Sequence, residues 1–189
     1  MSFTELLSEK KPAILKKWFD SILDTYPSET ADFLKKQKDR FANPVGSTIY
    51  GGMDSLLNSL LSNDDADTIS KYLDDIVRIR AVQDFTPSQS LAFIFRLKDA
   101  VREETADESN ARDFSDELTA FDLKVDALAL TAFDIYMKCR EKIYDIKANE
   151  LRNMTIKLVE RANLIFEARY RDIDLKDLVM EGNKSERGE

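Results

Sequence analysis

The chain has 189 residues, a formal net charge of −8, 43% hydrophobic and 34% charged residues, a single cysteine and no histidine. One cysteine excludes an internal disulfide framework and any cysteine-ligated zinc or iron–sulfur site within one chain, and the lack of histidine excludes an imidazole base, a histidine-ligated haem or metal, and phosphotransfer through histidine. The acidic balance, relieved only by the scattered pairs Lys10-Lys11, Lys16-Lys17 and Lys35-Lys36, argues against nucleic acid as a partner, because such affinity rests on clustered cations that release counterions.

Phe3, Leu6 and Leu7 predict a short N-terminal helix to about Lys10, with Pro12 as the natural start of a second. There Ile14, Leu15, Trp18, Phe19, Ile22 and Leu23 recur at helical spacing, and Tyr26-Pro27 ends the run because a residue before proline is pushed out of the helical region. Ser28 is the expected cap of a short helix carrying Phe33 and Leu34. Asn43-Pro44 predicts a break and a fresh start, Asn43 capping and Pro44 first in a helix that buries Val45, Ile49, Met53, Leu56, Leu57, Leu60 and Leu61. Gly46, Gly51 and Gly52 would each cost that helix about 1 kcal/mol relative to alanine, which predicts close approach of a neighbouring helix. Asn63 to Asp67 reads as a capping cluster, since it lacks the spaced ligands and terminal glutamate of a calcium loop. Ile69, Tyr72, Leu73, Ile76 and Val77 continue as a helix reaching Arg80-Ala81. Thr86-Pro-Ser-Gln89 is a capping box opening a helix to about Glu104, with Leu91, Ile94, Phe95, Leu97 and Val101 buried; Thr105–Ser115 then reads as a connector or, having no breaker, as a join between two helices with little bend.

From Leu118 the positions Leu118, Phe121, Val125, Leu128, Ala132, Ile135 and Cys139 step by three and four without a gap. Leu123, Leu130, Phe133, Tyr136 and Met137 widen that stripe, which predicts a central helix covered on more than one side. After Lys142 the pattern narrows to Leu151, Met154, Leu158 and Ile165, with Arg161 intervening. One straight helix from Phe114 to Ile173 would reach roughly 85–90 Å, too long for one small domain. The second half is therefore expected either to fold back near Asn149 or to pair with the same helix of another subunit, and the stripe favours pairing. The organisation expected is a domain over 1–149, a helical extension over 150–175 serving as dimer stalk or partner surface, and a flexible tail over 176–189. No segment approaches the ~18 apolar residues of a membrane span, and the N-terminus lacks a signal-peptide pattern, so a cytoplasmic protein without membrane insertion is expected.

No residues converge on catalytic chemistry. Adjacent carboxylates such as Asp74-Asp75 leave a helix in different directions, and a di-metal carboxylate bundle would need Glu-x-x-His motifs that are absent. Cys139, on an apolar stripe, reads as a small buried hydrophobe rather than an activated thiolate. Aromatic residues could line an inter-helical pocket for an apolar ligand, with Trp18, Phe41, Phe95 and Tyr136 as candidates, although aromatics at helical spacing also describe plain core. The expected protein is not an enzyme and holds no cofactor.

Three stretches carry a family likeness: Trp18 to Pro27, Lys38-Asp-Arg-Phe-Ala-Asn-Pro-Val-Gly46, and Phe133-Asp-Ile-Tyr-Met-Lys-Cys-Arg-Glu-Lys-Ile-Tyr144. Over roughly Thr4 to Glu150 the chain resembles the RsbRD N-terminal domain, the sensory module of RsbT co-antagonist proteins, with Arg40, Asn43, Pro44, Tyr136, Arg140 and Glu141 at motif positions. The resemblance implies an all-α, globin-like bundle of about six or seven helices without haem. It also implies a homodimer, a long last helix that passes a signal to an output partner, and a regulatory or redox-linked role in stress response. Because the sequence ends near Glu189, no STAS or kinase output domain is expected within it. The resulting expectation is a non-catalytic bacterial sensor acting through dimerisation and protein–protein interaction, with a binding protein for a small apolar ligand such as a fatty acid as the alternative.

Overall fold

A computed structural model describes the backbone of residues 2–35, 41–111 and 113–185, and the side chains of 2–35, 41–108 and 113–171. Among these residues the fold is all-α: α1 (Phe3–Leu23), α2 (Ser28–Lys35), α3 (Pro44–Ser62), α4 (Ala66–Ala81), α5 (Pro87–Ala111) and α6 (Ser115–Ser185). The chain divides into two units, Met1–Glu141 and Lys142–Glu189. Asn149 lies inside α6, which is helical throughout its span.

The first helix differs from its expected form. Residues 3–23 make one helix with Pro12 inside it, not two helices meeting at Pro12. A proline there removes one backbone bond and costs about 3 kcal/mol. Pro12 and Ser8, whose carbonyl loses its partner, are both exposed, so water can satisfy that oxygen. Burial of Leu6 and Leu7 before the proline and Ile14, Leu15 and Trp18 after it outweighs the loss, at about 1.5–3 kcal/mol for each large apolar side chain. The helix start is a capping box that went unread in the sequence: Glu5 N donates to Ser2 Oγ (3.2 Å) and Ser2 N to Glu5 Oε2 (2.7 Å).

α1 and α5 run antiparallel, shown by the descending pairs Lys10–Glu108 (2.8 Å), Lys17–Glu104 (2.6 Å) and Trp18–Phe93. Trp18 is fully buried, and its indole Nε1 donates to the Phe93 carbonyl at 2.6 Å, so the largest apolar side chain enters the core with its polar tip paired. α5 continues through the stretch expected as a connector. Thr105 is buried with its hydroxyl on the Val101 carbonyl, and the Lys10–Glu108 pair fastens the extra turns to α1.

The predicted helix starts hold at α3, α4 and α5. Asn43 caps α3 with Pro44 first, Asp65 Oδ1 accepts from Thr68 N at 2.8 Å, and Thr86 and Gln89 exchange both bonds of their box. Close packing explains two of the three glycines in α3. A Cβ on Gly46 would lie 2.6 Å from the Leu34 carbonyl oxygen, and one on Gly52 would lie 2.9 Å from Ile76 Cγ1, whereas Gly51 faces open space.

Candidate functional site

α6 begins where Asp113 Oδ1 accepts from both the backbone N and the hydroxyl of Ser115, which holds the Asp113 carboxyl below its usual range, the hydroxyl contributing most. Within the first unit one face of α6 is core. Phe121, Val125, Leu128, Ala132, Ile135 and Tyr136 are buried, and Leu118 and Cys139 are packed against them, as the step of three and four predicts. Polar ties along both margins fix the helix in place: Lys98–Asp126 (2.7 Å) and Arg102–Asp122 from α5, Lys124 to Asn63 at the end of α3, and Arg140 Nη1 donating to the Ala81 carbonyl at 3.2 Å.

The other face is not covered by the described residues. Leu123 is 65% exposed, Leu130 72%, Phe133 49% and Met137 39%. This corrects the expectation of a helix covered on more than one side: the residues that widen the stripe form a second apolar face, and α1–α5 bury only the first. Phe95, expected in the core, is also about half exposed. The antiparallel pairs Lys98–Asp126 and Arg102–Asp122 put it one turn from Lys98, level with the turn of α6 that carries Leu130.

In the second unit, described to residue 171 in its side chains, every residue from 144 to 171 is exposed, including Leu151, Met154, Leu158 and Ile165. Leu123, Leu130 and Met137 in the first unit, and Tyr144, Leu151, Leu158 and Ile165 in the second, are each spaced by seven in the sequence, a period that keeps side chains on one seam within each helical segment.

The four proposed pocket residues do not share one environment. Trp18 and Tyr136 are buried core, Phe95 is half exposed and Phe41 is 99% exposed, so the last two enclose no space with the first two. Two of the family-motif positions, Asn43 and Arg140, serve as joints. Asn43, 1% exposed, donates Nδ2 to the Phe33 and Leu34 carbonyls (3.0 Å each) and accepts from Gly46 N at 2.9 Å, stitching α2 to α3. Arg140 closes the end of α4, Tyr136 fills the core and Glu141 is exposed, while Arg40 lies outside the described residues.

Sequence reasoning read Arg80 only as the end of an apolar stripe, yet it is fully buried. Its guanidinium donates to the Ser90 (2.9 Å) and Gln89 (2.7 Å) carbonyls, Thr25 Oγ1 (3.1 Å) and Tyr26 Oη (3.3 Å), and it lies 4.6 Å from the Phe85 ring centroid. These neutral oxygens and ring faces join α1, α4 and α5 at one corner, and burial lowers the guanidinium pKa from its ordinary value. The only available signal was its position four residues after Ile76 and three after Val77. Burial likewise raises the Cys139 thiol, with Arg78 opposing. Among the described residues no group of acidic or cysteine side chains is placed to hold a metal.

The RsbT co-antagonist protein rsbRD N-terminal domain matches residues 12–151. The chain belongs to that family. A protein of Archaeoglobus fulgidus, described as uncharacterized, is 30% identical over 142 residues, covering 72% of this chain and 82% of the relative. No solved structure matches. RsbRD N-terminal domains are regulatory sensor domains, and this member presents an exposed apolar face on α6. No helix among its described residues is long and apolar enough to cross a membrane.

Proposed function

We propose that this RsbRD N-terminal domain protein is a non-catalytic regulator that works as a homodimer through α6, and that the same helix meets a protein partner in a stress-response or redox-linked system. The observation that carries the reading is the exposure of seven-spaced apolar residues in each unit, Leu123, Leu130 and Met137 in the first and Leu151, Leu158 and Ile165 in the second. Apolar side chains repeated every seven residues on a water-facing helix carry the cost of apolar hydration until a second helix covers them, at about 25 cal/mol per Å². Membership of a family of regulatory sensor domains supports the same reading.

Sedimentation equilibrium tests it. The wild-type chain is expected as a dimer at micromolar concentration, and Leu151→Glu with Leu158→Glu as a monomer of unchanged helix content. A wild-type chain that sediments as a monomer overturns the proposal. The apolar-ligand alternative has weaker support at the residues first named for it, because Phe41 and Phe95 face outward.

A further inference from the structure

Two surface hollows of about 250 Å³ each lie where the first half of α6 crosses the end of α3, and they share Leu60, Asn63 and Lys124 in their walls. Ile69, Ala127 and Leu128 line the first; Leu7, Ala120 and Phe121 line the second. Each hollow exists because α6 presents alanine at 120 and 127, one turn either side of Lys124.

Lys124 is the one cation in either wall. Its ammonium donates to the Asn63 amide oxygen, a neutral partner, and no carboxylate pairs with it among the described residues. Asn63 is fixed for that role: it ends α3 in the left-handed conformation (φ 56°) with its N–H on the Ser59 carbonyl. An ammonium has three donors, so an anion can join the amide without displacing it. Each hollow also holds one exposed carboxylate, Asp64 in the first, where it accepts from Ser59 Oγ at 2.7 Å, and Glu117 in the second; the first hollow is favoured because its lining is the more apolar of the two. A volume of 250 Å³ corresponds to about eight water-sized groups, below the range of drug-sized sites.

We propose that the first hollow binds a small monocarboxylate with a short hydrocarbon chain, the carboxylate on Lys124 and the chain against Ile69, Ala127 and Leu128. The ligand would bridge α3 and α6 directly, which makes it an input to the helix assigned above to dimer and partner contact; the binding itself does not require that assignment.

Calorimetric titration of the full chain with octanoate, octanol as the uncharged control, tests the site. Octanoate is expected to bind saturably and octanol about tenfold more weakly, the loss set by one charge-assisted hydrogen bond. Lys124→Met should weaken octanoate by a similar factor and Lys124→Arg should retain it. Ala127→Leu, at an exposed position that leaves the core untouched, should block binding, and Ala120→Leu should not. Absence of saturable binding, equal affinity for octanol, or indifference to Lys124→Met or Ala127→Leu each overturns the proposal, and so does equal blocking by Ala120→Leu. Sedimentation of the same samples separates the two readings: a monomer that binds octanoate through Lys124 refutes the dimer and supports the site.

Discussion

Residues 1–141 and residues 142–171 use leucine in opposite ways. In the first unit Leu6, Leu56, Leu57, Leu73 and Leu97 are fully buried among five helices, whereas Leu151, Leu158 and Leu164 in the second are about two-thirds exposed. The charges divide as well. Residues 142–189 carry as many basic as acidic side chains, so the net −8 belongs to residues 1–141. The first unit buries most of its leucines by folding on itself and leaves Leu123 and Leu130 in water; the second is neutral and, from 144 to 171, buries no apolar side chain. Helix formation is common to both, so the presence of helix says little about what a segment is for.

The sharpest way to break this contrast is to make the same substitution in both regions. Leu128→Ala, at a 3% exposed position, should lower unfolding stability by about 2–5 kcal/mol through lost burial and a residual cavity. Leu158→Ala, at 64% exposure, should change the stability of dilute protein by no more than about 0.5 kcal/mol while weakening association. Urea unfolding beside sedimentation reads both, and comparable losses of stability would erase the distinction.

A smaller effect is expected at the α2–α3 joint. Asn43→Ala removes a cap and two bonds donated to α2, and Gly46→Ala drives a Cβ against the Leu34 carbonyl; each should cost about 1–3 kcal/mol. Neither should alter the oligomeric state, so a change in sedimentation would show that the joint and the α6 seam are coupled.

The smallest effect depends on pH. The Asp65 carboxylate is held below its ordinary value by the Thr68 backbone N–H and then by the Thr68 hydroxyl. A depressed folded-state pKa stabilises above the unfolded value and loses that contribution as pH falls through the lowered one. Asp65→Ala should therefore lower the urea midpoint at neutral pH, with the gap to wild type closing in acid. A gap of constant size at every pH would mean that the capping charge contributes nothing.

Local rules made much of the fold legible, because each depends on residues within one turn of each other. Asn43-Pro44, Thr86 with Gln89, and Asp65 specify their helix starts by chemistry that needs no distant partner. Pro12 misled for the same reason, since its local preference was opposed by burial on both sides of it. Arg80 and the Lys124 hollows were hidden because their partners lie far away in sequence, from Thr25 to Ser90 in one case and from Asn63 to Lys124 in the other.

By itself the sequence determined that the chain is helical, which family it resembles, and which residues of α6 from Leu118 to Cys139 face the core, since three-and-four spacing fixes a face wherever a helix forms. Only the tertiary structure decided that α6 has a second apolar face. Periodicity identifies an apolar side chain's direction, but whether anything lies in that direction depends on where the other helices pack, and α1 to α5 leave Leu123, Leu130 and Met137 in water.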